Sequence, residues 1–345
     1  MAYRAAVVGG SGYTGAELLR LLAGHPEVDV VHVTADSNAG AAVGELYPSL
    51  ATAYPGLEYA PYAAADLAGV DVAFVALPHG ESQLIAGEVG ERVTHIVDLG
   101  ADFRLPASAY EEWYGRPHTA PELLDGFAFG LPELFGEVVA RGPHVAAPGC
   151  YPTAAALALA PLVAGGLVEP TGLVVDAMSG VSGRGRGLSA ASLYSEANEN
   201  VAAYTLLSHR HTGEMEWAIG TAARADVQLL FTPHLVPMTR GLLATCHARP
   251  SGDGASTARL LETFRSFYAS APFVSVLDEP PLTKATLGSN SAHVTVRFDD
   301  RTGSVLALCA LDNLGKGAAG QAVQCANLLL GLPETTGLPA VGVMP

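Results

Sequence analysis

The sequence predicts two domains, a doubly wound parallel α/β sheet followed by an α+β domain with a mainly antiparallel or mixed sheet. Three observations carry this. Short apolar runs alternate with helical stretches through the first part of the chain, the pattern of βαβ units. Longer runs of alternating polarity, such as His293 to Phe298, dominate the later part and read as sheet with one covered face. The length of 345 residues also exceeds what one hydrophobic core usually organises.

Ala5-Ala6-Val7-Val8 is the first apolar run, and it ends in Gly9-Gly10-Ser11-Gly12-Tyr13-Thr14-Gly15. The following GAELLRLLAGHP places Leu18, Leu19 and Leu22 on one helical face. Strand, glycine loop and helix in this order form the context of a Rossmann-type dinucleotide fingerprint. Gly9, Gly12 and Gly15 make the tight turn and let backbone N–H groups approach a pyrophosphate at the helix start. The competing reading is a strand-to-helix turn that merely tolerates glycine.

Val28 to Thr34 is the second strand. Asp36 then lies about 20 residues past Gly15, where an acid bonds the ribose of NAD. Ser37 and Asn38 follow at once and suit a 2′-phosphate instead, with no Arg or Lys nearby in sequence. The residues alone leave NAD and NADP both open. Val70 to Leu77 and Thr94 to Leu99 are the third and fourth strands, with a helix starting at Pro78 to Ser82 between them. Arg104, past the fourth strand, stands where ligands bind in such sheets, and its fork suits carboxylate or phosphate. Pairing with Asp102 is the scaffold alternative.

His144 to Ala147 reads as the end of a buried strand, and PTAAALALAPLVA after it as a helix, so Cys150 stands at a helix start. Unpaired N–H groups and the helix dipole favour the thiolate there, the form that attacks carbonyl carbon. Against this, free cysteine is most often a small buried hydrophobe.

Leu173 to Met178 is a strand that runs into Ser179-Gly180-Val181-Ser182-Gly183-Arg184-Gly185-Arg186-Gly187. This loop brings backbone N–H groups and two guanidinium charges to an anion, or else acts as a linker. His209 and His211 flank Arg210, with Glu214 close behind and a helix beginning near Thr212. A histidine is the usual acid or base beside a thiol, and a metal pair is the alternative, which lacks a third ligand at suitable spacing. Val227 to Phe231, Leu235 to His247, Phe273 to Leu277, Ala292 to Phe298 and Ser304 to Leu311 read as strands, with STARLLETFRSFYAS as a helix among them. His234 and Arg240 stand beside prolines. The loop Asp312 to Gly320, with Asn313 and Lys316, opens an apolar helix in which Cys325 reads as core.

The net charge of −16 disfavours nucleic acid and anionic membranes as partners. Four cysteines without a C-x-x-C pair argue against disulfides and zinc, and no metal site is expected. No apolar run spans a bilayer and the opening residues enter a strand directly, so a cytoplasmic location is expected.

Taken together, these strings resemble the N-acetyl-gamma-glutamyl-phosphate reductases of arginine biosynthesis over nearly the whole chain. GGSGYTGAELLRLL and SNAG, then DLGADFRL, GLPEL and APGCYPTA, then SGVSGRGRG, SHRHTGEME, TPHLVPMTRG and DNLGKGAAGQAVQ come in that family's order. Aspartate-semialdehyde and glyceraldehyde-phosphate dehydrogenases share the two-domain plan but not these strings. The resemblance implies a glyceraldehyde-phosphate-dehydrogenase-like fold with 1–149 and about 313–345 in the nucleotide-binding domain and 150–312 in the catalytic and oligomerisation domain.

It further implies Cys150 as nucleophile, His211 as acid/base and His209 as a second site histidine. The cofactor implied is NADP, held by Gly9, Ser11, Gly12, Tyr13, Thr14, Gly15, Ser37, Ser182, Gly183 and Asn313. Arg104, His209 and Arg240 are the expected substrate ligands, the substrate is a small acyl phosphate, and the assembly is a homodimer or homotetramer. Three rivals stay open: a sister reductase acting on a carrier-linked aminoadipyl phosphate, a Cys/His hydrolase, and a nucleotide-binding redox sensor.

Overall fold

In a computed structural model, which describes residues 2–345, the chain divides into two compact units. Among the described residues the first comprises 2–148 and Ala318–Leu338, the second Gly149–Gly317 and Pro339–Pro345.

The first unit holds a six-stranded sheet of β1 (Tyr3–Val8), β2 (Val28–Thr34), β3 (Val70–Val75), β4 (Val93–Asp98), β5 (Phe127–Phe129) and β6 (His144–Ala146). All pairings are parallel, in the order β2-β1-β3-β4-β6-β5. Ala5 to Val8 are wholly buried, as expected of a strand covered on both faces. The helix Tyr13–Leu22 buries Leu18, Leu19, Leu21 and Leu22, while Arg20 pairs with Glu17. The helix Gly320–Leu329 belongs to this unit, where the Cys325 thiol reaches the Gly130 carbonyl and His25 Nε2 lies 2.9 Å from Asn327 Oδ1. Strand β5, three residues long, is too short to announce itself by periodicity.

The second unit is built on a seven-stranded sheet of β7 (Leu173–Gly180), β8 (Ala202–Ala203), β9 (Leu229–Val236), β10 (Leu242–Ala248), β11 (Val274–Val276), β12 (Ala292–Asp299) and β13 (Ser304–Leu311). Its order is β11-β12-β13-β10-β7-β9-β8. Four pairings are antiparallel, but β7 with β9 and β11 with β12 run parallel, so the sheet is mixed. The β7 to β9 crossover contains the helix His211–Ala223, the kind of connection that parallel neighbours require.

The structure corrects one strand. Leu235 to His247 is not continuous: β9 runs from Leu229 through Pro233 to Val236, and β10 begins at Leu242. Pro233 is accommodated next to an edge strand of only two residues, β8. The chain then turns over Pro237 to Gly241, whose φ of +118° suits glycine. The Val181 and Ser182 N–H groups donate to the Met238 and Thr239 carbonyls and hold this turn.

The helix Cys150–Ala164 is apolar on all sides, and every residue from Tyr151 to Val163 is buried. Truncating one of its fully buried leucines would cost about 2–5 kcal/mol, so its first residue is rigidly placed. Among the described residues no helix is long and apolar enough to cross a membrane.

Candidate active site

Cys150 occupies the first position of that helix, half-buried and outside any disulfide, with Gly149 as an extended N-cap. The first turn contains no acidic side chain. Thr153 returns both its N–H and its hydroxyl to the Gly149 carbonyl, each at 3.0 Å, which closes the turn under the sulfur. Gly317 packs directly on the Cys150 Cβ.

Two histidines converge on this turn. His211 begins the helix His211–Ala223, and its ring lies over Gly149: a Cβ at Gly149 would come within 2.5 Å of His211 Nε2. Only glycine permits that approach. Glu214, three residues on and therefore on the same helical face, is fully buried. Its Oε2 accepts the Gly149 N–H at 3.1 Å, and its Oε1 lies 3.9 Å from His211 Nε2, an ion-pair separation longer than a hydrogen bond. One carboxylate thus touches the turn that carries Cys150 and the imidazole beside it. Glu214 has no expected role from the sequence, where its three-residue spacing from His211 is the available signal.

His209 sits in an aromatic box of Tyr151, Tyr204, Phe231 and His211, all edge-to-face at 4.8–5.8 Å. Its Nδ1 accepts the backbone N–H of His211 at 3.2 Å. Burial, then the Arg210 charge, push it down to about 4. His209 is therefore neutral at working pH, and its ring nitrogen fixes the backbone at His211. Tyr204 donates to the Tyr151 hydroxyl at 3.1 Å, and Tyr151 donates to the His234 carbonyl at 3.2 Å. Burial pushes Tyr204 up to about 12 and Tyr151 higher, so each stays a neutral donor. Among the described residues no three His, Cys, Asp or Glu side chains are placed to hold a metal ion.

Other expected site residues of the second unit form a loop clasp. Asn313 is buried, donates to the Ser182 hydroxyl at 2.9 Å and accepts the Gly241 N–H at 2.8 Å, and Gly183 lies beside them. Arg240 grips the fully buried Asp312 through both Nε and a terminal nitrogen, at 3.1 and 3.0 Å. Asp312 also accepts the N–H groups of Gly288, Leu314 and Gly315. Arg240 is thus built into the scaffold by a residue far away in sequence.

In the first unit, Gly9 to Gly15 form one turn onto the helix Tyr13–Leu22. Gly9 has φ +85°, and a Cβ there would meet the Ala76 carbonyl at 2.6 Å; one at Gly15 would strike Gly10 at 2.6 Å. Gly12, the N-cap, faces open space, and no side chain caps the helix or places an acid in its first turn. These features fit a dinucleotide pyrophosphate on the N–H groups of Tyr13, Thr14 and Gly15. Ser11 is fixed by its carbonyl, which accepts the Tyr47 hydroxyl. Asp36 and Ser37 are exposed just past β2, with Asn38 donating to Ser37 at 3.1 Å.

Arg104 is buried beyond β4 and donates to the Leu99 carbonyl at 2.8 Å. Asp102 accepts the Gly80 and Gln83 N–H groups and the Tyr110 hydroxyl. The Ser82 hydroxyl lies 2.9 Å from Asp102 and 3.2 Å from Asp98, both acids fully buried. One hydroxyl proton serves one carboxylate at a time. Burial and then the Asp102 charge push Asp98 up to about 7, against the Gly100 N–H, Arg104 and Ser82, so it holds a proton below that pH.

An unfolded aspartate titrates at about 4, so the stability this proton contributes is fully present below that pH and is lost as pH rises through about 7. The loss amounts to up to about 4 kcal/mol. Asp98→Asn keeps a donor toward Ser82 and does not titrate. Its melting temperature is expected to gain about 5 °C on the wild type between pH 5 and pH 8; parallel curves would contradict the assignment.

Comparison with known proteins follows this geometry. The family described as "Semialdehyde dehydrogenase, NAD binding domain" matches residues 4–141, and "Semialdehyde dehydrogenase, dimerisation domain" matches residues 150–313. The chain is 48% identical to an N-acetyl-gamma-glutamyl-phosphate reductase of Symbiobacterium thermophilum over 99% of each chain. It is 49% identical to one of Desulforudis audaxviator, over 98% of this chain and 99% of that protein. Among solved structures, aspartate semialdehyde dehydrogenase II of Vibrio cholerae superposes with a TM-score of 0.75 at 17% identity, covering 96% of this chain and 99% of that one. That likeness is one of fold.

Proposed function

The chain belongs to the N-acetyl-gamma-glutamyl-phosphate reductases of the semialdehyde dehydrogenase family, and from that premise we propose that it reduces N-acetyl-gamma-glutamyl phosphate through an acyl group carried on Cys150. The products are N-acetylglutamate 5-semialdehyde and phosphate. The observation that carries the roles of the residues is the clamp in which Glu214 touches both the Gly149–Cys150 turn and His211.

Cys150 Sγ attacks the acyl carbon, the bond from that carbon to the phosphate oxygen breaks, and phosphate departs with the bonding pair, leaving a thioester. Of the N–H groups in this turn, that of Gly149 is held by Glu214, that of Thr153 by the Gly149 carbonyl, and Pro152 has none. Those of Cys150 and Tyr151 are therefore the donors proposed for the oxyanion, each such donor being worth about 3 kcal/mol. Bound nicotinamide in its reduced form supplies the hydride. The resulting thiohemiacetal expels the Cys150 thiolate and releases the aldehyde, and the proton consumed in each turnover passes through His211.

NADP is the proposed cofactor, with the Ser37 and Asn38 tip receiving the 2′-phosphate and the glycine turn the pyrophosphate. The second unit is the proposed seat of self-association, supported by the exposed Met178 and Leu230 on its sheet. Four cysteines outside any disulfide, one of them the proposed nucleophile, suit a reducing compartment, and the cytoplasm is the proposed location.

The test is the reverse reaction. N-acetylglutamate semialdehyde should reduce NADP only when inorganic phosphate is present, with kcat/KM for NADP at least about tenfold above that for NAD, the equivalent of one well-placed phosphate contact. Phosphate-independent turnover would point to hydrolysis or simple dehydrogenation. A preference for carrier-linked aminoadipate semialdehyde would point to the sister reaction.

A further inference from the structure

Resting on that reading of the reaction, we infer that the cleft beside Tyr204 takes the amino-acid end of the substrate, with Arg184 as the residue that binds its carboxylate and sets specificity.

The cleft has a volume of about 290 Å³ and is lined by Arg184, Glu196, Asn200, Tyr204, Leu235 and four alanines. This is the lower end of the small-molecule range, room for one end of a substrate rather than a whole nucleotide. Its wall is shared with the nucleophile's surroundings. Tyr204 lines the cleft, yet its hydroxyl donates to Tyr151, the residue after Cys150, and its ring meets His209 edge-on at 5.6 Å. A ligand in the cleft therefore lies one aromatic ring away from the groups that carry out the acyl chemistry. Only two methylenes and the α-carbon separate an N-acetylglutamyl carbonyl from its carboxylate, so the two ends must be held in adjoining spaces.

The lining matches that end group by group. Arg184 stands over the Tyr204 ring at 5.7 Å, a cation–π contact that places the guanidinium at the cleft. No carboxylate of the described residues forms an ion pair with it. Arg240, by contrast, is neutralised by Asp312, so its charge is already matched within the protein. A carboxylate of the substrate supplies the planar, bidentate partner that Arg184 lacks. Asn200 donates through Nδ2 to the Glu196 carbonyl at 3.0 Å, which turns its Oδ1 into the acceptor for an amide N–H. Glu196 disfavours a second negative charge at this end. The alanines suit a small acyl methyl better than a polar or bulky group.

The test pairs Arg184→Ala with a substrate that lacks only the carboxylate. In the phosphate-dependent reverse reaction, N-acetylglutamate semialdehyde is compared with 4-acetamidobutanal, which has the same aldehyde and acetamide. The wild type is expected to favour the carboxylate-bearing aldehyde about 30-fold in kcat/KM, the size of one charged hydrogen-bonded pair. Arg184→Ala should lose that factor on this substrate alone, mainly through KM, and leave 4-acetamidobutanal turnover as it was. Arg184→Lys should recover part of the loss. Equal slowing of both aldehydes, or a wild type that does not distinguish them, would overturn the inference. A wild type inert toward both would instead overturn the reading of the reaction, and this inference with it.

Discussion

Replacing Cys150 by alanine is expected to lower kcat by about 10⁴-fold or more, since the group proposed to carry the acyl chain is removed. Dissociation constants for NADP should stay within about twofold, because the glycine turn is built entirely from the first unit. The other thiols offer no bypass: Cys246, Cys309 and Cys325 are wholly buried, and burial pushes the Cys246 thiol well above the ordinary range. Cys150→Ser should be nearly as inactive, because a hydroxyl at that position is a poorer nucleophile and a poorer leaving group. Steady-state rates and cofactor titration by fluorescence check both halves of the expectation. Substantial turnover in either variant would contradict a covalent route.

Glu214→Gln should come next in size, with kcat reduced by about 10²- to 10³-fold, less than the roughly 10⁴-fold for a carboxylate hydrogen-bonded to a catalytic histidine because Oε1 lies 3.9 Å from His211 Nε2. The variant keeps an oxygen able to accept the Gly149 N–H, so the helix start holds its shape and the loss reports the missing charge beside His211. Glu214→Ala removes the acceptor as well and leaves a buried N–H unsatisfied. It should therefore also lower thermal stability, by about 1–3 kcal/mol. Kinetics and melting curves of the pair separate the two roles. Equal rates in Glu214→Gln and the wild type would reduce Glu214 to scaffolding.

How much of this was legible in the sequence follows from how local each feature is. The glycine turn between an apolar run and a helix, Cys150 at a strand-to-helix junction, and two histidines at a helix start are set within a dozen residues, and the structure places them accordingly. The parallel pairing of β7 with β9 was not legible, because alternation reports a covered face and says nothing of direction. The continuous strand read across Pro237 failed because apolar residues on both sides of a tight turn look like one run. The resemblance implies Arg240 as a ligand, and its pairing with Asp312, 72 residues on, is not visible in the local sequence. Tyr204 and Arg184 gain their parts only from contacts between segments, which a single sequence does not display; the spacing of Glu214 from His211 is local, but its hold on the Gly149 N–H is not. The proton on Asp98 depends on two acids meeting one serine across a fold of the chain.

The central claim is a covalent acyl group on one sulfur, and it is tested most directly without any nicotinamide. The protein is mixed with N-acetyl-gamma-glutamyl phosphate in the absence of cofactor, quenched in acid, digested and mapped by mass spectrometry. The account predicts release of one phosphate per active chain and an N-acetylglutamyl adduct on the peptide carrying Cys150. No adduct, or one on Cys246, Cys309 or Cys325, would contradict it.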